Sequence, residues 1–160
     1  MKNNTLKLTT AALIAAAYVV LTMMSQFMGL ASGAVQLRLS EALTILPVFT
    51  SAAVPGLAIG CLISNIVTGC SIADIIFGTL ATLAGAATTS KLGKKNPYLG
   101  PVGPILANMI ILPLTFRYIY GAEGSYLYFL LTIGIGEIIS CGVLGLALYK
   151  GLKGKINWVE

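Results

Sequence analysis

The fold of this chain depends on residues 41–69, which read EALTILPVFTSAAVPGLAIGCLISNIVTG. The segment is almost wholly apolar, but Pro47 and Pro55 interrupt it. A proline inside a helix removes a backbone hydrogen bond and kinks or ends the helix. The segment therefore forms either one broken helix or two short ones, and the rest of the chain has to decide between them.

Composition places the chain in a lipid bilayer. Of its 160 residues, 57% are hydrophobic and 9% are charged, with a mean hydropathy of +0.91. An average soluble protein is about 25% charged. A soluble domain, a disordered chain, a secreted disulfide scaffold and a nucleic-acid binder are all excluded. We predict one integral membrane domain over residues 1–160.

Four stretches are long enough to cross a membrane as single helices. A helix needs about 20 apolar residues to cross about 30 Å of hydrocarbon. The sequence supplies such stretches at residues 8–29, 72–90, 100–119 and 125–149.

The positions of the basic residues decide how segment 41–69 is divided. Eight of the ten form three lysine clusters, at Lys2 and Lys7, Lys91, Lys94 and Lys95, and Lys150, Lys153 and Lys155. Cytoplasmic segments of membrane proteins collect Lys and Arg. Two helices, at 40–53 and 55–68, put all three clusters on one side, whereas a single helix does not. We predict an all-α bundle of six transmembrane helices with both termini cytoplasmic. A re-entrant hairpin at 41–69 gives the same parity and stays open.

Glu137 is the clearest candidate for a functional residue. An ionisable side chain near the bilayer centre costs about 2.5–3.5 kcal/mol on insertion scales. Glu137 lies about halfway along the last predicted helix, after Gly134 and Gly136, which allow a backbone or a ligand to approach closely. Either a ligand or a hydrogen bond between a protonated Glu137 and a neighbouring helix explains it.

Five further polar residues are candidates. Asn65 and Asn108 lie within predicted helices, where an unpaired amide is expensive, and either pairs with another helix or binds a ligand. Arg38 and Glu41 are three residues apart and share a helix face, so a structural ion pair explains them equally well. Asp74 begins a predicted helix, where a carboxylate complements the helix dipole.

Two apolar features complete the candidates. Aromatic residues typical of a membrane interface flank the predicted outer loop 118–124, and one ring, such as Phe116, is a candidate for stacking on a flat ligand. The first helix carries small residues at four-residue spacing, which favours close helix packing in lipid: Ala11 with Ala15, and Ala12 with Ala16.

Signatures of catalysis are absent from the sequence. The chain has no histidine, its three cysteines, Cys61, Cys70 and Cys141, have no metal-ligand spacing, and it contains no nucleotide-binding loop. We interpret the cysteines as small packing residues. We therefore expect no enzyme, no metal site and no cofactor, and any active transport needs energy from a partner or an ion gradient.

Several linked blocks resemble one known family over nearly the whole chain. They are RLSEALTILP at 38–47, PGLAIGCLISN at 55–65, DIIFGTLATL at 74–83, GPILAN at 103–108 and GE at 136–137. Together they resemble the queuosine-precursor transporter family, QueT.

The resemblance implies an architecture and partners. The family belongs to the S components of energy-coupling factor (ECF) transporters, six-helix substrate-binding subunits of the bacterial cell membrane. An S component captures a scarce compound outside and docks on one coupling membrane protein and two ATPases. It is then thought to topple and release its ligand inside. The resemblance implies that Ala11, Ala12, Ala15 and Ala16 form the docking face.

The implied ligands are 7-deazaguanines, namely queuine or its aminomethyl and cyano precursors. Their N1 hydrogen and exocyclic amine form a donor pair that one carboxylate accepts, and Glu137 is the first choice for it. Asn108 or Asn65 would meet the carbonyl oxygen or a ring nitrogen. A cationic aminomethyl group favours a second acid, Asp74 or Glu41.

Two alternatives remain open at this point. One is an S component for another vitamin-like nutrient. The other is a small proton-coupled exporter that uses Glu137.

Overall fold

A computed structural model describes residues 2–31, 35–121 and 123–155 of the protein. The predicted loop 30–39 therefore lies only partly within the described residues. Within these residues the chain forms six helical rods and no β-strand. The rods are α1 (Lys2–Phe27), α2 (Leu39–Val48), α3 (Ala53–Val67), α4 (Ile72–Gly93), α5 (Pro97–Ile119) and α6 (Tyr126–Leu152).

Four of the rods, α1, α4, α5 and α6, are long and apolar enough to cross a membrane, which confirms the four predicted stretches. The other two are shorter. Ten residues of 3₁₀ helix in α2 rise about 20 Å, and the α-helix α3 rises about 22 Å. Both fall short of the hydrocarbon thickness of about 30 Å. That all six rods cross the membrane stays a prediction, as does the side on which the termini lie.

Segment 41–69 divides into two helices, as the charge pattern predicts, but the first differs from the expectation. The prediction of an α-helix at 40–53 is wrong, because the structure has a 3₁₀ helix at Leu39–Val48. Seven of the ten residues of α2 are buried, so packing on several sides sets its conformation. Pro47 lies one residue before its end. The second helix, predicted at 55–68, lies at Ala53–Val67.

Each of the last three rods contains a π-helical stretch, at Thr89–Gly93, Thr115–Ile119 and Ile138–Leu144. In α6 the regular helix ends at Glu137 and the π-helical stretch begins with the next residue. Such irregular turns often occur at functional sites.

Small residues hold α1 against α3. A Cβ added at Gly56 would lie 2.7 Å from the Ala11 carbonyl oxygen, and one at Gly60 would lie 2.8 Å from the Tyr18 Cβ. This close approach buries Ala11 and Ala15, which are 8% and 7% exposed. Ala12 and Ala16 are exposed. The four alanines therefore lie on two faces of α1. Ala11 and Ala15 pack inside the fold, whereas Ala12 and Ala16 remain exposed.

Helix α2 lies in the middle of the bundle, in contact with α1, α3, α4 and α6. Its end packs on the last turns of α6, where the Phe49 and Tyr149 rings stack with centroids 5.3 Å apart. Its beginning contacts α6. A Cβ at Gly145 would lie 3.5 Å from the Ala42 carbonyl oxygen, and the Cys141 sulfur lies 3.5 Å from the Glu41 carbonyl oxygen. The first turn of α2 therefore places its polar side chains deep in the bundle.

Candidate functional site

Two buried carboxylates meet in the middle of the bundle. Glu41, from the first turn of α2, is 2% exposed, and Glu137, from the middle of α6, is 8% exposed. Cys141 lies one helical turn after Glu137 and its thiol donates to Glu137 Oε2 at 3.2 Å, with Glu41 Oε2 3.9 Å from the same sulfur. One ligand atom from each of the three residues lies within 4.8 Å of the others.

Helix α1 supplies a donor to this pair. The Tyr18 hydroxyl donates to Glu41 Oε1 at 2.5 Å, and Tyr18 is 1% exposed. The next turns of α1 continue the contact, since the Thr22 hydroxyl donates to Ser40 Oγ at 2.8 Å and Ser25 Oγ accepts from the Leu39 amide at 2.8 Å. These bonds fix the depth at which Glu41 enters the bundle.

Helix α5 supplies the amide. Asn108 lies in the middle of α5, is 4% exposed, and its side chain hydrogen-bonds the Glu137 carboxylate. Of the two interpretations given for Asn108, this contact matches a bond between helices, and a role in ligand binding stays a prediction. The arrangement brings together donors and acceptors from α1, α2, α5 and α6.

The described residues before α2, 35–38, contact α6 one residue before Glu137. The Gln36 carbonyl lies so close to Gly136 that a Cβ there would collide with it. Gly136 therefore admits another backbone, one of the two uses expected of it, while Gly134 packs against the Met109 side chain. Arg38, at the end of this segment, is half-buried and acts electrostatically on both Glu41 and Glu137.

Asn65 lies elsewhere. It is 2% exposed, and its amide contacts the Asp74 carbonyl oxygen at 3.2 Å and the Cys61 sulfur at 3.5 Å. These contacts join α3 to the start of α4. Of the two interpretations given for Asn65, its contacts match that of a bond between helices.

Asp74 belongs to a second polar group, at one end of the bundle. Its amide bonds the Ser71 hydroxyl, which caps α4, and its carboxylate accepts from the Tyr120 hydroxyl, which also contacts Ser71. Partial burial, followed by the hydrogen bond to Asp74, raises the pKa of Tyr120. This group joins the turn before α4 to the residue after α5, so that turn and the loop 118–124 lie at the same end of the bundle.

Phe116 lies near that end too. Its ring stacks on Phe129 with centroids 5.6 Å apart and is 5.7 Å from the Tyr120 ring. Eight residues separate Phe116 from Asn108 along the chain, which corresponds to about 12 Å of helix. The stacked rings therefore lie two turns from the carboxylate pair, toward the end that carries Asp74.

Two residues of the carboxylate site do not stand out in the sequence. Tyr18 follows Ala11 and Ala15 at helical spacing on the buried face of α1, which is a signal for burial but not for a bond to Glu41. Cys141 was interpreted as a packing residue. It is buried, but it also bonds both acids, and its spacing of four residues from Glu137 was the available signal.

The cluster of Glu41, Glu137 and Cys141 has the donor atoms of a cation site. All three residues already take part in hydrogen bonds within the protein, with Tyr18, Asn108 and Thr44 as partners. We interpret them as a polar surface for an organic molecule and assign no metal or cofactor to them.

The fold and the site together define a multi-pass helical membrane protein with a polar site inside an apolar bundle. Residues 8–154 match the model of the QueT transporter family, so the chain belongs to that family. The name of this family describes transporters, which is the class that the sequence resemblance implied.

A curated relative gives the same family. The chain is 37% identical over 82 residues to the queuosine precursor transporter QueT of Lactococcus lactis subsp. cremoris (strain MG1363). The match covers 51% of this chain and 48% of the relative, so the chain spans about half the length of that protein. No solved structure matches the chain significantly.

Proposed function

We propose that this chain is the substrate-binding S component of an ECF importer for queuosine precursors, the 7-deazaguanines. Support for the substrate comes from the family and from the name of the Lactococcus lactis relative. The observation that carries the proposal is the position of Glu137. It faces Glu41, Cys141 and Asn108 inside the bundle instead of lipid, in an otherwise apolar chain.

The chemistry of the site fits the ligand. A 7-deazaguanine presents its N1 hydrogen and exocyclic amine as a donor pair, and the Glu137 carboxylate accepts both in charge-assisted bonds. Asn108, held against Glu137, donates to the ring carbonyl oxygen. Arg38 and Glu41 complete the wall above and beside it. Of the two candidates for a second acid, Glu41 lies beside Glu137, whereas Asp74 lies in the separate group with Tyr120.

Access is proposed from the outer end, where Asp74, Tyr120 and the stacked Phe116 lie. In the six-span topology with cytoplasmic termini, this end faces outside and the lysine clusters face inside. A ligand that enters there passes the rings of Phe116 and Phe129 before it reaches Glu137. One of these rings then covers the flat face of the ligand.

Energy for uptake is proposed to come from an ECF module of one coupling membrane protein and two ATPases. The exposed part of the small-residue face, Ala12 and Ala16, borders a groove of about 470 Å³ between α1 and α3. Small side chains at such a position let a partner helix approach closely in lipid. We assign this groove to the coupling protein.

The substrate site is tested by the variant Glu137→Gln. Loss of a charge-assisted acceptor worth about 1.5–3 kcal/mol should weaken binding of 7-aminomethyl-7-deazaguanine at least about tenfold. Isothermal titration calorimetry on protein purified in mild detergent measures this. Glu123→Gln, at an exposed loop position, is the matched control and should bind normally. Equal affinity of the two variants would contradict the role of Glu137.

The same preparation separates the alternatives. Mass spectrometry of the small molecule that co-purifies should find a 7-deazaguanine, and a nutrient of another class would identify an S component of different specificity. Uptake that needs ATP and the module supports the importer. Transport that stops when the proton gradient is collapsed would support the exporter instead.

A further inference from the structure

The two acids of the site lie too close together for both to be ionised at low cost while the site is empty. The ligand atoms of Glu41, Glu137 and Cys141 lie within 4.8 Å of one another, and both carboxylates are almost fully buried. Two like charges at such a separation repel strongly where water is largely excluded. Carboxylates placed in this way titrate as a pair that holds one proton between them.

The charges around the two carboxylates balance when the pair holds one proton. Tyr18 donates a neutral hydroxyl to Glu41, and Cys141 donates its thiol to Glu137. Cys61, on α3, interacts electrostatically with Glu41. Arg38 is the one cation that acts on both acids among the described residues. One arginine balances one carboxylate, so the second needs either a proton or a positive charge brought by a ligand.

A buried hydroxyl next to Cys141 in the chain lacks a partner among the described residues. Ser140 is 1% exposed, and its hydroxyl has no hydrogen-bond partner among the residues that the structure describes. It precedes Cys141 in the π-helical stretch that begins after Glu137. A buried polar group left unpaired is costly, which points to a ligand that bonds it.

We propose that Glu41 and Glu137 share one proton in the empty site and that ligand capture expels it, so that the site prefers a precursor that carries a protonated amine. The inference rests on the proposed function. In this step the O–H bond of the pair breaks, the proton passes to the solvent buffer, and the hydrogens of the ligand replace it on the carboxylate. The ligand ammonium group restores the charge that the proton supplied.

The proposal makes Glu41 a specificity-determining residue with a role distinct from that of Glu137. Glu137 accepts the hydrogen bonds of the ring, whereas Glu41 supplies the second negative charge that makes a proton, or a cationic ligand, necessary. A neutral ligand of the same shape expels no proton, because the pair would then be left with an unbalanced charge.

Calorimetry tests the proposal on the full chain in detergent. Titration of 7-aminomethyl-7-deazaguanine at neutral pH, in two buffers with different ionisation enthalpies, counts the protons released on binding. We expect about one proton for the aminomethyl ligand and none for 7-cyano-7-deazaguanine. We also expect the affinity for the aminomethyl ligand to rise with pH, by up to about tenfold per unit.

The variant Glu41→Gln provides a second measurement. With one carboxylate left beside Arg38, the site needs no proton, so proton release should disappear and the aminomethyl ligand should lose its advantage over the cyano ligand. If the wild type binds the aminomethyl ligand without proton release, or if Glu41→Gln still releases a proton, the proton exchange is wrong while the proposed function stands. If neither ligand binds at any pH, both proposals are wrong.

Discussion

Tyr18 joins α1 to the carboxylate site by a single buried hydrogen bond. Replacing it with Phe leaves Glu41 Oε1 without its donor at 2.5 Å, in a place that water does not reach. An unsatisfied buried acceptor costs about 1–3 kcal/mol. We therefore expect Tyr18→Phe to lower the melting temperature of the detergent-solubilised protein, measured by thermal unfolding at one fixed heating rate.

The control for Tyr18→Phe is Tyr118→Phe, which removes the same hydroxyl from a side chain that is 76% exposed. It should melt like the wild type. If the two variants have the same melting temperature, the bond from Tyr18 contributes nothing to stability and Glu41 finds another donor.

At the scale of single residues, the sequence indicated the site where a polar residue stands within or beside an apolar run. Glu137 and Asn108 stand out in this way and do lie together. The bond between Tyr18 and Glu41 could not be predicted, because it joins residues 23 positions apart and depends on how α1 packs on α2. For Cys141, an apolar run explains its burial, and the spacing of four residues from Glu137 was the available signal of its bond to that acid.

At the scale of helices and loops, the contact between Gly136 and the segment before α2 is the most demanding in α6. An Ala Cβ at position 136 would collide with the Gln36 carbonyl. The backbone at Gln36 then has to move, and such overpacking costs about 1–3 kcal/mol. We expect Gly136→Ala to lower the melting temperature and to weaken binding of 7-aminomethyl-7-deazaguanine in calorimetry.

The matched control lies in the same helix. A Cβ at Gly142 would have its nearest neighbour at 3.9 Å, which is an ordinary contact. Since Ala is favoured over Gly inside a helix by about 0.5–1 kcal/mol, Gly142→Ala should be neutral or slightly stabilising. A normal melting temperature and normal binding in Gly136→Ala would mean that the contact with Gly136 does not hold the backbone at Gln36 in place.

The sequence predicted the helices with unequal success, and α2 shows why. The helix α3 was predicted at 55–68 and lies at Ala53–Val67, within two residues at each end. The 3₁₀ conformation of α2 results from burial against α1, α3, α4 and α6, which is set by the rest of the bundle. Hydrophobic pattern alone does not separate a 3₁₀ from an α-helix in a segment that is apolar on all sides.

At the scale of the whole molecule, the proposed ligand site and the proposed docking groove lie on different sides of α1. Tyr18 faces inward to the carboxylate site, whereas Ala16, two residues earlier, borders the groove with Ile59 and Ile63. A leucine at position 16 fills part of that groove without touching the site. We expect Ala16→Leu to abolish co-purification with the ECF module and uptake by cells, and to leave ligand binding in detergent unchanged.

Ala17→Leu tests whether the groove itself matters. Ala17 is exposed on α1 but does not border the groove, so the same added volume at position 17 should leave docking and uptake intact. Glu137→Gln should show the reverse of Ala16→Leu, with docking kept and ligand binding weakened, because the acid lies inside the bundle and the groove lies outside it. Uptake that survives Ala16→Leu, or fails equally in both alanine variants, would place the docking surface elsewhere on the molecule.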